Sequence, residues 1–347
     1  MKLVFITDIH YGVRGDSQAF LDNNKKFFDN IFFPYLNKNH IDTVICLGDL
    51  LDRRKYINYN TAHRLRKDFL DPLKAANIDF HWILGNHDIY FRNTNEVSAA
   101  SELCRDIKSY SDPTEVTFGG DKMLFVPWIC ESNRALTEEM LKTTKAKIVL
   151  GHLELSGFEM QKGVLHKEGD SKDGYQRFPF VATGHYHHKS DVDNIHYLGA
   201  HAEFTWSDWN DPRGFHLFDT ETHTLEFIQN PYRMFEKIFY DDTSEKSKGA
   251  KFSELKGKYV KLIVKSQTDS DKFNWFMSKV EEAQPLELTV VQDHLNLENI
   301  TTEDIAADAK DTITLMREFV SQAGGNVNTP KLENLVTGLY QEAVNLR

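Results

Sequence analysis

The stretch "CLGDLLDRRK", residues 46–55, contains the pattern from which the rest of the chain is interpreted. A run of apolar residues ends at Gly48, the acid Asp49 follows it, and a second acid, Asp52, comes three residues later. A buried strand that ends on a glycine and a carboxylate would place a charged group at the edge of a sheet. The same kind of ending occurs five times in the first 200 residues, which favours one shared purpose over five unrelated turns.

Five short apolar runs alternate with helix-like stretches, which predicts an α/β core. In chain order the runs are "KLVFIT", "DTVICLG", "DFHWILG", "KIVLG" and "FVATG". Ligands of open α/β sheets gather at the carboxyl ends of the strands, so the polar residues after these runs should share one pocket. Those residues are Asp8, His10, Asp49, Asp52, Asn86, His87, Asp88, His152, His185, His187 and His188.

Local geometry should help these side chains to converge. Residues two apart in extended backbone point to the same side, so Asp8 should pair with His10, and His185 with His187. The glycines just before the ligands should let the backbone turn sharply. They are Gly48, Gly85, Gly151 and Gly184.

The chemistry of this set indicates metal binding. Carboxylate, amide and imidazole donors without thiolates suit Mn²⁺, Fe or Zn²⁺ better than a cysteine-type structural zinc site. About seven or eight donors are too many for one ion and suit two ions, ~3.5–4 Å apart, that share a carboxylate in phosphoryl transfer. Asp49 is the natural candidate for the shared ligand.

Other elements can also be predicted. Helices are expected over residues 17–36 and 95–110, and hairpins should turn at Gly119-Gly120-Asp121 and near Asp219 to Thr222. Strand "YVKLIVKS", helix "DKFNWFMSKVEEA" and strand "LELTVVQ" indicate a small second α/β unit, and two amphipathic helices are expected near the end. The expected domains are a core (1–235), a cap (236–292), a linker (293–300) and a helix-loop-helix (301–347).

Composition limits the possible partners. The net charge of −11 provides no overall attraction to nucleic acid, so any DNA contact needs a local basic patch. Residues 245–265 offer such a patch, with seven lysines, among them Lys256 and Lys258, against two glutamates. The alternative is a solvated, lysine-rich surface.

The three cysteines lack CxxC spacing, which favours structural roles for them. No apolar run approaches the ~20 residues of a membrane span, so a cytoplasmic protein is expected.

The ordered motifs D-x-H, GDxxD, GNHD, GH and GHxH resemble those of the calcineurin-like metallophosphoesterase superfamily over about residues 1–200. Within it the chain is similar to SbcD-type double-strand-break-repair nucleases, especially the phage recombination endonuclease subunits. The supporting features are "YLGA", "NDPRGF" and the tail of cap plus helical pair.

The resemblance implies a four-layer β-sandwich flanked by helices, with an α/β cap and a C-terminal helical pair. It implies a metal-dependent phosphodiesterase, a DNA exonuclease or endonuclease that acts on DNA ends in repair and recombination. The implied cofactors are two divalent ions, most often Mn²⁺, and His87 matches the catalytic histidine, which would position the phosphate or protonate the leaving oxygen. One metal would take Asp8, His10, Asp49 and His187, and the other Asp49, Asn86, His152 and His185.

The resemblance also implies partners. These are double-stranded DNA, a second copy of the chain bound through helices near the front of the core, and an SbcC-type SMC-like coiled-coil ATPase held by the C-terminal helical pair. A phage-encoded protein would work in the host cytoplasm. Two positions depart from the family pattern: Asp52 stands where cellular eukaryotic and archaeal relatives have histidine, and Ala200-His201 replaces a small residue followed by proline.

Two other functions stay open on the sequence. One is another phosphoesterase, acting on cyclic nucleotides or phosphoproteins. Protein phosphatases of the superfamily carry Arg-Gly directly after GDxxD, whereas this chain has Arg53 and Arg54 and no glycine. These arginines would either contact a phosphate or begin a solvated helix. The other function is a non-catalytic, metal-stabilised scaffold, although such members normally lose ligands and none is lost here.

Overall fold

Seventeen strands and eight helices form the part of the chain that the structure, a computed structural model, describes, residues 1–244 and 251–292. The strands are β1 (Lys2–Ile6), β2 (Thr43–Cys46), β3 (Asp79–Ile83), β4 (Lys108–Tyr110), β5 (Thr114–Phe118), β6 (Asp121–Val126), β7 (Ile148–His152), β8 (Glu159–Gln161), β9 (Val164–Leu165), β10 (Phe180–Gly184), β11 (Ser190–Val192), β12 (Ile195–Tyr197), β13 (Gly214–Asp219), β14 (Thr224–Gln229), β15 (Phe235–Asp241), β16 (Tyr259–Ser266) and β17 (Glu287–Gln292). The helices are α1 (Val13–Asp16), α2 (Gln18–Phe27), α3 (Phe33–Lys38), α4 (Tyr59–Leu65), α5 (Asp71–Ala75), α6 (Ala99–Leu103), α7 (Glu131–Thr143) and α8 (Ser270–Glu282). Three short 3₁₀ turns lie at Lys172–Tyr175, Trp206–Asp208 and Phe252–Leu255.

Two six-stranded sheets make up the core. The first has the order β14-β13-β1-β2-β3-β4, in which β1 to β4 run parallel and β13 pairs antiparallel with β1. The second has the order β11-β12-β10-β7-β6-β5, with the four central strands parallel and an antiparallel strand at each edge. The five predicted strands are β1, β2, β3, β7 and β10, and both predicted hairpins, β5–β6 and β13–β14, are confirmed.

The sheets pack face to face and each carries helices on its outer face. Apolar side chains between the sheets come from both of them, for example Phe5 and Ile45 from the first and Phe125 and Leu150 from the second. Residues of α2 and its continuation cover the outside of the first sheet, and α7 covers the outside of the second through Leu141. The expected four-layer sandwich is therefore confirmed.

The helix predicted over residues 17–36 is present with a local change of pitch. α2 continues through one π-helical stretch, Phe28–Phe32, into α3. The wider turn keeps Phe27, Phe28 and Phe32 all fully buried against the first sheet. A second π-helical stretch, Arg66–Leu70, joins α4 to α5 in the same way.

The helix predicted over residues 95–110 is wrong for most of its length. Only α6 is helical there, capped at its start by the side chain of Ser98. The chain then turns, and β4 adds itself in parallel to the edge of the first sheet beside β3. Pairing with the sheet thus overrides the local helical preference of this segment.

The predicted cap is a parallel three-stranded sheet of order β15-β16-β17 with α8 on one face. Its core includes Leu262 and Val264 from β16 and Phe276 and Val280 from α8. The two predicted strands and the helix are confirmed, and β15 is a further strand that the sequence does not predict. The division at residue 235 stays a prediction, and the linker and helical pair lie outside the described residues.

Across residues 1–244 and 251–292, no helix is both long enough and apolar enough to cross a membrane.

Candidate metal centre

The five predicted strand endings meet at one place although their strands belong to different sheets. Asp8, Asp49 and Asn86 follow β1, β2 and β3 of the first sheet, while β7 and β10 of the second sheet end at His152 and just before His185. The parallel strands of both sheets present their carboxyl ends at this edge, so the site spans the sandwich. The structure brings together all seven predicted ligands and His87.

A first group contains Asp8, His10 and His187, whose ligand atoms all lie within 4.8 Å of one another. The Nε2 atoms of the two histidines face each other at 3.1 Å, and His10 Nε2 is 3.8 Å from Asp8 Oδ1. Asp8 is fully buried and accepts a hydrogen bond from the Thr7 hydroxyl at 2.7 Å.

A second group contains Asp49, His152 and His185. Asn86 lies among them, with its Oδ1 3.0 Å from His152 Nε2 and 3.1 Å from His185 Nδ1. Oxygen and imidazole nitrogen atoms thus point at one small volume, as in the first group.

Asp49 lies between the two groups. Its Oδ2 is 3.3 Å from His152 Nε2 in the second group and 3.8 Å from His10 Nε2 in the first. Its Oδ1 accepts a hydrogen bond from the backbone N–H of His87 at 2.8 Å. One carboxylate is therefore available to both groups.

The backbone at the ligands is strained. Asp8, His10, Asp49 and His185 have φ of 50°, 49°, 52° and 91°, in the left-handed region that side-chain-bearing residues seldom adopt. The expectation that Asp8 and His10 share a side through extended backbone is therefore wrong, because a left-handed turn brings them together. Such strain costs roughly 1–3 kcal/mol per residue and clusters at functional sites.

The glycines before the ligands act mainly by leaving space. A Cβ atom on Gly85 would overlap the Asp49 carboxylate, and one on Gly184 would overlap the Thr7 hydroxyl that holds Asp8. A Cβ atom on Gly48 would overlap the His152 ring, and of the four glycines Gly48 alone has positive φ, at 102°. Close approach, more than a sharp turn, explains these glycines.

Contacts at Nδ1 determine how His152 and His10 are presented. His152 Nδ1 donates to the carbonyl oxygen of Leu47 at 2.7 Å, which leaves Nε2 free to face Asp49. His10 Nδ1 lies 3.5 Å from Asp52 Oδ1, so its Nε2 faces His187. A carbonyl or carboxylate oxygen beside the second ring nitrogen is typical of metal-ligating histidines.

Negative charge is buried here without a fixed cation. Among the residues that the structure describes, neither Asp8 nor Asp49 has a lysine or arginine ion-pair partner. Burial would raise the pKa of Asp49, but His152 and the other facing histidines hold it well below its usual range. Burial would lower the pKa of His152, yet the charges of Asp49 and Asp8 raise it to about 9. Buried carboxylates in such a setting call for a cation, and the donors suit a divalent metal ion.

His87 lies beside the two groups. Its ring meets the His10 ring edge-on, with centroids 5.0 Å apart. Its Nδ1 donates to the backbone carbonyl oxygen of Asp52, which fixes the tautomer and leaves Nε2 available for a substrate. Asp52 thus orients His87 through its backbone and His10 through its side chain.

Asp88, the last residue of the GNHD motif, organises the site from beneath, a role that the sequence does not predict. Its buried carboxylate accepts hydrogen bonds from the backbone N–H groups of Asp49, Leu50 and Gly85 at 2.8–3.0 Å and from the Trp82 indole at 3.1 Å. Burial, with the nearby Asp49 charge, raises the pKa of Asp88 to about 6. Its place in the motif is the one sequence signal that could have revealed this role.

Other residues pack against the ligands or beneath them, and nothing in the sequence indicates that they do so. The Trp128 ring lies 4.9 Å from the His185 ring, and the Phe204 ring lies 5.5 Å from both His10 and His187. His201, the departure from the family pattern, is fully buried, and its Nε2 is 3.0 Å from Asn24 Oδ1 on α2. Burial lowers the pKa of His201 to about 3, so it is a neutral packing residue beneath the site.

Arg53 and Arg54 serve the local structure. Arg53 forms a 3.0 Å ion pair with Asp16, and Arg54 Nε donates to the carbonyl oxygen of Ile89 at 3.2 Å. The alternative of a helix start at these arginines is wrong, because α4 begins only at Tyr59.

Comparisons with known proteins show what this chain is similar to. The model of the calcineurin-like phosphoesterase family matches residues 1–189. Exonuclease subunit 1 of Enterobacteria phage T4 is 32% identical over 329 residues, which are 92% of this chain and 92% of that protein. The SbcD component of nuclease SbcCD from Staphylococcus epidermidis is 24% identical over 262 residues, 65% of this chain and 67% of that protein. A solved archaeal phosphodiesterase is 14% identical, with a TM-score of 0.34 over 66% of this chain and 100% of its own.

Proposed function

This chain belongs to the calcineurin-like phosphoesterase family, and on that premise we propose that it is a two-metal-dependent DNA nuclease of the SbcD type. It would hydrolyse phosphodiester bonds at DNA ends as the nuclease subunit of an SbcCD-like recombination and repair complex. Both relatives carry names of nuclease or exonuclease subunits, and the match to the phage subunit spans most of both chains.

The arrangement around Asp49 carries the proposal. Two groups of donors, each with a buried carboxylate, meet at one shared aspartate, and neither carboxylate has a lysine or arginine partner in the described part of the chain. Two divalent ions that share Asp49 would neutralise this buried charge. Such a pair supplies Lewis-acid polarisation to phosphodiester hydrolysis.

Each ligand has an assigned place. Asp8, His10 and His187 would hold one ion, Asn86, His152 and His185 the other, and Asp49 both. The oxygen- and imidazole-rich donors without thiolate suit Mn²⁺, which we propose as the metal.

His87 would act on the substrate itself. The hydrogen bond from its Nδ1 fixes the ring, so Nε2 can donate to a phosphate oxygen or to the leaving oxygen. Its ring lies edge-on to the His10 ring, and its backbone N–H donates a hydrogen bond to Asp49.

The cap would contact DNA through the face of its sheet opposite α8. Lys237 of β15 and Lys261 of β16 are directly paired neighbours on that face. Their ammonium groups lie over the rings of Trp209 and Trp206 at 4.3 and 4.4 Å, and neither lysine has an acidic partner among the described residues. Burial lowers the pKa of both, and Lys261 adds to the effect on Lys237.

Paired like charges on adjacent strands are destabilising, and a bound anion would relieve this repulsion. The loop that carries Trp206 and Trp209 also carries Phe204, which packs on the site histidines. We therefore place a phosphate-backbone contact at Lys237 and Lys261. Lys258 fits this role less well, because it is paired with Glu236 at 3.2 Å.

The name of one relative suggests a protein partner for this chain. The name of the staphylococcal protein places it in a two-component complex, and we propose an SbcC-type SMC-like ATPase as the partner of this chain, held by residues 301–347. A homodimer through helices near the front of the core belongs to the same proposal.

The direct test uses purified full-length protein on linear duplex DNA. We expect cleavage with added Mn²⁺, none after chelation, and stimulation by the ATPase subunit with ATP. Hydrolysis of cyclic nucleotides or phosphopeptides without cleavage of DNA would favour another phosphoesterase. No hydrolysis of any phosphoester with metal bound would favour the scaffold alternative.

A further inference from the structure

A cavity of about 290 Å³ adjoins the candidate metal centre, and of its lining residues only His152 has a part in the function described so far. The metal ligand His152 and the indole of Trp128 form the wall towards the centre, and Ile129 and Leu155 supply apolar surface. The cavity is about ten times the ~30 Å³ that one water molecule occupies, so it can accept an organic group.

The cavity is built on fixed backbone. Asp170 N–H donates to the Glu154 carbonyl oxygen at 2.9 Å, and Ser156 N–H donates to the Asp170 carbonyl oxygen at 3.1 Å. Gly169 lies in this hydrogen-bonded part of the wall with φ of 138°, and a Cβ atom there would come within 2.9 Å of the Glu154 carbonyl oxygen. The wall therefore has a defined shape without a ligand.

Charge in the cavity disfavours a further phosphate, because the lining has two carboxylates, Asp170 and Glu154, against one arginine, Arg134. The guanidinium of Arg134 binds both carboxylate oxygens of Asp170, at 3.0 and 3.1 Å, so none of the described lining residues offers an unpaired cation to attract an anion. Glu154 Oε1 lies 3.5 Å from His166 and 3.8 Å from His185. A flat, neutral group with hydrogen-bonding edges fits an indole wall bordered by such polar groups.

We propose that this cavity is a subsite for the nucleobase next to the scissile phosphate, stacked on Trp128. The inference rests on the proposed nuclease function and adds a contact on the base to those on the phosphate. Because every base has a π-face, stacking on an aromatic side chain tolerates any sequence, as a nuclease that degrades DNA ends requires.

The test compares thymidine 5′-monophosphate with 1,2-dideoxyribose 5-phosphate, which carries hydrogen in place of the base. Binding of each to the full-length, Mn²⁺-supplemented protein is measured by calorimetry. We expect the nucleotide to bind about tenfold tighter or more. Trp128→Ala should remove this preference, Trp128→Phe should keep most of it, and the exposed Trp275→Ala on α8 should leave it unchanged.

Other results would overturn the inference. Equal affinity of the wild-type protein for the two compounds, or no binding of either, would exclude a base subsite. An equal loss of affinity for both compounds in Trp128→Ala would mean that the indole only packs against His185. If the alanine variant does not fold, the affinities of the wild-type protein and of Trp128→Phe for the two compounds still test the base subsite.

The same preparations separate this inference from the proposed function. DNA cleavage without a preference for the nucleotide would disprove the base subsite and support the nuclease function. A clear preference for the nucleotide without DNA cleavage would contradict the nuclease function and support a nucleotide-binding cavity.

Discussion

Asp49 meets more demands than any other single residue of the site. Its left-handed backbone, its backbone N–H bond to Asp88 and its two carboxylate oxygens all serve the position of one negative charge. The strain is tolerated because Asp88 ties down the surrounding N–H groups. A residue held so firmly between two donor groups is expected to control both.

Asp49→Ala should therefore abolish hydrolysis and weaken the binding of both ions. Asp49→Asn is the conservative variant, because its side-chain oxygen can still accept the N–H of His87 while the charge is lost. Metal content is measured by mass spectrometry, with the exposed Asp106→Ala as a control that retains both ions. Unchanged occupancy in Asp49→Ala would disprove the shared-ligand role.

His87→Gln should separate chemistry from metal binding. Its Nε2 is not among the proposed ligands, so the fold and both metals should be retained while cleavage of duplex DNA falls by ~10²–10⁴-fold. Single-turnover rates at saturating Mn²⁺ give this number directly. A loss under tenfold would speak against a role of His87 in the reaction.

The ligand residues could be predicted because five endings shared one chemistry, whereas the groups that orient them could not. Asp52 uses a backbone carbonyl for His87, and Leu47 uses one for His152; a backbone contact leaves no trace in residue type. Trp128 and Phe204 look like ordinary core residues in the sequence, and only the fold places their rings against the histidines.

At the scale of elements, apolar strands with glycine endings can be predicted well and edge strands poorly. β1, β2, β3, β7 and β10 are interior strands, whose near-continuous apolar runs are a strong signal. The segment of β4, at a sheet edge, has a helix-like pattern, and β15 has no clear strand pattern, because half-exposed strands mix polar and apolar residues. The parallel pairing that stabilises both comes from distant segments.

The cap sheet carries a prediction at this scale. Replacing Lys237 and Lys261 together by glutamine should weaken DNA binding and lower the salt slope of log K by about two, since each phosphate contact contributes about one. Lys272→Gln with Lys279→Gln is the matched control, because α8 covers the opposite face of the sheet. Binding of duplex DNA is titrated between low and physiological salt; an equal slope for both double variants would refute the contact.

At the scale of the molecule, one site is made by two sheets. Neither half of the sandwich holds a complete donor set: the second group takes Asp49 from the first sheet and His152 from the second. The apolar residues between the sheets therefore also set the geometry of the ligands. A substitution of these apolar residues that lowers the free energy of unfolding should consequently also weaken metal binding.

The tail should be separable from this sandwich. Deleting residues 300–347 should leave a folded, metal-loaded nuclease, because the two sheets and the cap have their own apolar cores within the described residues. Its Mn²⁺-dependent cleavage of DNA should survive, while ATP-stimulated cleavage should vanish, since the proposed binding element for the ATPase is gone. Co-purification of the truncated and full-length chains with the ATPase subunit is the measurement. Full-strength binding by the truncated chain would disprove this role, and collapse of the truncated core, seen as loss of its cooperative melting transition, would mean instead that the tail packs on its own protein.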